Sequence, residues 1–184
     1  MKALLFSFLI SLTIGHLATA QSSDWKQQLQ QELEAFKSCM NQNENGDCRT
    51  VLGKSIKLVY NINDFYNAQS GGYLTPQDIG SELAKTNEWK SLGFAYNQDA
   101  LIEGQKAANT NKPVLAVYRD EEGQALHAVM LLPGELQASG SWNLKVPKVA
   151  SFFTHEPEKS FVDKTMAYAF SKTMLLRIEL YARI

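Results

Sequence analysis

The sequence predicts an α+β fold, and three observations predict it. Apolar residues recur at helical spacing from about residue 24 to residue 60, and the period changes to two near Pro113. The turn Asp120 to Gly123 then joins two alternating runs into an antiparallel hairpin. The chain has 184 residues, 45% of them hydrophobic, which suits one domain with a core, read as residues 21–184.

Residues 1–20 read as a signal peptide rather than as part of that domain. Lys2 supplies the positive start, Leu4 to Ile14 the short apolar stretch, and Ala18-Thr19-Ala20 the small-residue pattern before a cut between Ala20 and Gln21. A periplasmic or secreted protein is the expectation, with no membrane span once the signal is removed, because no later segment has the length of a spanning helix. With 18 basic and 19 acidic residues the chain is near neutral, so there is no electrostatic case for nucleic acid.

Each element follows from its own pattern. Asp24 can cap a first helix whose Trp25, Leu29, Leu33 and Phe36 form one stripe. The Asn- and Gly-rich segment Met40 to Asp47 is a loop, and Asp47 reads as the N-cap of a second helix carrying Val51, Leu52, Ile56 and Val59. Thr75 and Pro76 read as N-cap and N1 of a third helix. A fourth runs from about Gln98 to Asn109, capped by Asn97, with Ala100, Leu101, Ala107 and Ala108 as a small apolar face. Pro113 to Tyr118 and Ala125 to Leu132 are the two hairpin strands. Val149 to Phe153 is an apolar stretch, Ser160 can cap a helix through Met166, Tyr168 and Phe170, and Leu176 to Ile184 alternates as a last strand.

Cys48, at or near the first position of the second helix, is the candidate nucleophile. Unpaired backbone N–H groups and the positive end of the helix dipole favour a thiolate there. Two other readings stay open: a buried structural cysteine, and a Cys39–Cys48 disulfide formed in an oxidising compartment, which would mask the thiol. His127 projects from the start of a mostly apolar strand. As a lone histidine it reads as a core or edge residue, and as the partner of an earlier cysteine it reads as a general base. Three histidines, one of them in the signal, and two cysteines without zinc-like spacing predict no metal site. His155, beside Glu156 and Pro157, reads as a surface residue.

Cys48 opening a helix, Leu92 to Leu101, Ala107-Ala108-Asn109, Pro113 to Val117, His127 to Gly134 and Ser139-Gly140-Ser141-Trp142 together resemble the NlpC and CHAP group of papain-like cell-wall amidases and endopeptidases, including amidase effectors. The resemblance implies a papain-like α+β fold in which the nucleophile helix packs on a small antiparallel sheet. It implies hydrolysis of amide bonds in peptidoglycan stem peptides or cross-links without a cofactor, with peptidoglycan or muropeptide as substrate. Two positions depart from the family pattern: Arg49 follows the cysteine where Asn is common, and Leu126 precedes the histidine where Gly is usual.

On this reading Cys48 attacks the amide, His127 moves the proton, and the backbone N–H of Cys48 helps form an oxyanion hole. A polar residue from the strand after His127 orients the ring, Ser141 first, with Ser139 and Asn143 as alternatives. The competing expectations are a catalytically inactive binding module of the same fold, held by a Cys39–Cys48 disulfide, and an amidase toxin acting on competitor cells. A protein inhibitor is a possible partner.

Overall fold

A computed structural model of the protein describes residues 24–42 and 47–184. The signal-peptide expectation for residues 1–20, and most of the expected loop before Asp47, lie outside the described residues. The helical stripe of the first segment forms α1 (Trp25–Gln42), which buries Trp25, Leu29, Leu33, Phe36 and Met40. A single 3-10 turn, Asp47–Thr50, then leads into α2 (Val51–Tyr60). Cys48 therefore sits in this turn and not at the first position of α2. Thr50 occupies the cap position without a side-chain cap bond.

A short hairpin, β1 (Tyr66–Asn67) with β2 (Gly72–Tyr73), precedes α3 (Pro76–Leu83). Thr75 caps α3 by accepting the Asp78 backbone N–H, and Pro76 fills N1, as expected. β3 (Trp89–Phe94) was not anticipated. It alternates imperfectly and carries Gly93 at φ +104°. α4 (Gln98–Asn109) follows with Asn97 accepting the Asp99 N–H. Its small face fits closely on the sheet: a Cβ on Gly104 would lie 3.1 Å from Leu180 and 3.2 Å from Leu131.

β4 (Val114–Arg119) and β5 (Ala125–Leu131) form the expected hairpin. The Asp120 side chain accepts the Glu122 and Gln124 N–H groups, and Gly123 takes φ +82°. β6 (Gln137–Ser139) and β7 (Leu144–Val146) make a separate small hairpin. The strand beside β5 is β8 (Lys148–Ser151), the expected apolar stretch.

The helix expected from Ser160 is instead a strand, β9 (Phe161–Thr165), followed by a 3-10 turn at Met166–Tyr168. Its residues pair with β8, Lys148 opposite Thr165 and Ser151 opposite Phe161. Ser160 accepts the Phe153 N–H across that pairing and caps no helix. β10 (Ile178–Arg183) is the last strand.

The main sheet has the order β3-β10-β4-β5-β8-β9, with every pair antiparallel. It separates two cores. One lies between the sheet and α1, α2 and α3 and includes Leu115, Val117, Ala128, Met130 and Leu132. The other lies under α4 and includes Val114, Ala116, Val129, Leu131 and Phe170. Among the described residues no helix is long and apolar enough to cross a membrane.

Candidate functional site

The position of His127 is set by a bulge in β5. Tyr118 pairs with His127 and Arg119 with Ala125, so Leu126 is the extra residue and stands 44% exposed. Beyond the bulge the strand alternates: Ala128, Met130 and Leu132 enter the core under α1 to α3, whereas Val129 and Leu131 enter the core under α4. His127 shares the second face. Its ring stacks on Phe153 at 4.6 Å and 11°, and meets Phe170 edge-on at 5.6 Å.

The ring is held through Nε2, which lies 2.9 Å from the Oγ of Ser151 on β8. Ser151 is fully buried. Burial also pushes the imidazole pKa down from 6.5 to about 4, because the charged form is the one that loses most by leaving water. At pH 7 the ring is neutral. The cavity above it has a volume of about 250 Å3 and is walled by Tyr118, Leu126, Phe153, Phe170 and Met174, with Thr154, His155 and Glu156 at its edge. Such a site offers mainly apolar walls with a few polar groups, the His127 ring among them, a combination suited to gripping a small group of mixed polarity.

Cys48 is elsewhere. It is bonded to Cys39 on α1, with 5.7 Å between their Cα atoms, and is buried in the core under α1 to α3. The sheet therefore lies between Cys48 and His127. This corrects the expected Cys48–His127 dyad: its members emerge on opposite faces, and the sulfur is already bonded. The reason is that the disulfide fixes the 3-10 turn against the end of α1, away from the strand face that carries the ring.

Ser141 is corrected as well. It is exposed in the β6–β7 turn, where its Oγ is 3.2 Å from that of Ser139, and Ser139 accepts the Trp142 N–H. Asn143 closes the same turn at φ +58°. These residues form a hairpin end and not a strand beside β5, so the ring takes its partner from β8. Ser151 was missed, although it is the one polar residue within the apolar run Val149 to Phe153. His155 is exposed in a loop, as expected.

A second cleft, of about 520 Å3, lies beside Phe65, Tyr66 and Trp89 and carries the carboxylates of Asp64, Asp78, Glu82 and Glu88. All four are engaged within the fold, Glu88 by an ion pair with Arg183. Asp64 accepts from Arg183 and from the Trp89 indole, Asp78 from Thr75, and Glu82 from Lys85. Among the described residues no group of three or more His, Cys, Asp and Glu side chains is arranged to hold a metal ion. No family model matches the sequence, and no curated protein matches it.

Proposed function

We propose that the protein is an exported binding module for cell-wall peptides, built on a papain-like framework, in which Cys39 and Cys48 form a structural bridge. The observation that carries this reading is the separation of the two expected catalytic residues: Cys48 is disulfide-bonded in one core, and His127 faces the other. Nucleophilic catalysis needs a thiolate within hydrogen-bond reach of its base, and the framework holds the two on either side of a six-stranded sheet. Ser151 does touch the imidazole, but full burial denies its hydroxyl a substrate.

Export accounts for the oxidised pair, since disulfides persist in periplasmic and extracellular compartments. The resemblance to wall amidases supplies the ligand class, and the residues that depart from it, Arg49 and Leu126, both border cavities. The hydrolase reading keeps one observation in its favour: a histidine whose far nitrogen is held by a polar side chain from the neighbouring strand is the base-and-orienter half of a triad.

The two readings separate by thiol titration of the native protein combined with sedimentation on purified peptidoglycan. A binding module retains itself on the wall, shows no reactive thiol until it is reduced, and releases no fragments. A reactive native thiol accompanied by stem-peptide release would replace this proposal with the hydrolase.

A further inference from the structure

We infer that the cavity over His127 and the polar cavity beside it form one binding site, whose ligand is a short peptide with a free carboxylate next to an apolar side chain. This deepens the binding reading above and rests on it. The two cavities, of about 250 and about 370 Å3, adjoin at Thr154 and His155, which line both.

Their chemistries differ. The first is walled by aromatic and aliphatic side chains, and its rim carries Leu126, which the β5 bulge holds out toward solvent. An exposed leucine at the mouth of an apolar cavity is surface that a ligand side chain would cover. Ser151 engages Nε2 of His127, which leaves Nδ1 as the ring atom able to hydrogen-bond a peptide amide.

The second cavity carries Arg49, whose side chain is exposed and takes part in none of the ion pairs formed among the described residues. Among the described residues, two acidic neighbours are already engaged: Glu156 pairs with Lys159, and Glu158 accepts from Asn41. Among the described residues the guanidinium fork therefore has no carboxylate partner, and its geometry matches a carboxylate in two parallel hydrogen bonds. An apolar slot adjoining an exposed arginine selects a peptide end, with the side chain in the slot and the carboxylate on Arg49.

The test is isothermal titration of the oxidised protein with acetyl-Ala-Leu and with the C-terminal amide of the same dipeptide. The expected result is that the free carboxylate binds tighter by about tenfold or more, as loss of a charge-assisted bidentate contact requires. Arg49→Gln should remove that preference and leave binding of the amide unchanged. Leu126→Asn, at an exposed position that leaves the core intact, should weaken both dipeptides together. Equal affinity for the two dipeptides, a preference that survives Arg49→Gln, or no binding of either by protein with a normal thermal transition would overturn the inference.

Sedimentation on peptidoglycan separates this outcome from failure of the broader reading. Wall retention unaffected by Arg49→Gln keeps the binding module and removes this site. Absence of wall retention alongside the dipeptide preference keeps the site and removes the wall as its source of ligand.

Discussion

A neutral, half-buried imidazole at His127 ties the stability of the fold to pH. In the unfolded chain the residue titrates near 6.5, and in the folded protein burial lowers that to about 4. Between these values the unfolded chain binds a proton that the folded protein does not, so stability falls as pH falls from about 6.5 to about 4 and changes no further below. The full contribution is at most about 3 kcal/mol, from a shift of this size. Urea unfolding across that range should show the loss in the wild type and a shallower slope in His127→Gln, with all other titrating groups common to both. Identical slopes would mean that the ring is hydrated.

The strand that carries His127 is legible in the sequence because alternation survives along it. Its partner is not. Ser151 lies 24 residues away, and nothing local shows that β8, and not the Ser139 to Asn143 segment, is the strand hydrogen-bonded to β5.

At the scale of elements, what the sequence makes legible is where side-chain caps and fixed backbone angles decide the outcome. Thr75 with Pro76 and Asn97 mark the starts of α3 and α4 by bonds made within three residues. The start of α2 is misread because the deciding constraint is not local: a disulfide to α1 holds Cys48 in a 3-10 turn ahead of the helix. β3 and β9 are hidden for a related reason. Both are edge strands, stabilised by one neighbour each, and their apolar residues need only partial alternation.

The bridge spans a sequence separation of 9 residues. On the chain-entropy model, closing such a loop stabilises the fold by about 2–3 kcal/mol. Replacing both cysteines by serine should therefore lower stability by about that amount in chemical denaturation and leave wall retention intact at a temperature where the variant is folded. Loss of retention in a folded variant would place the sulfur atoms in the function.

At the scale of the whole molecule, the sheet is the barrier on which the functional reading turns. Its order places the C-terminal strand β10 between β3 and β4, and it sends odd and even residues of β5 into different cores. The α+β class follows from local periodicity, and so do most of the helices. The face on which His127 emerges depends on the bulge at Leu126 and on what packs against each side of the sheet, and neither is written in the spacing of cysteine and histidine. A chain order that suits a papain-like hydrolase is thus compatible with a fold that keeps the two residues apart.

The most direct test of that separation is incubation of the protein with purified peptidoglycan, with and without reductant, with soluble fragments identified by mass. If Cys48 is structural and the sheet stands between it and His127, neither condition releases stem-peptide products, and reduction only lowers stability. Products that appear with reductant and vanish in both Cys48→Ala and His127→Ala would contradict the account, because they would require the thiol and the imidazole to act on one substrate.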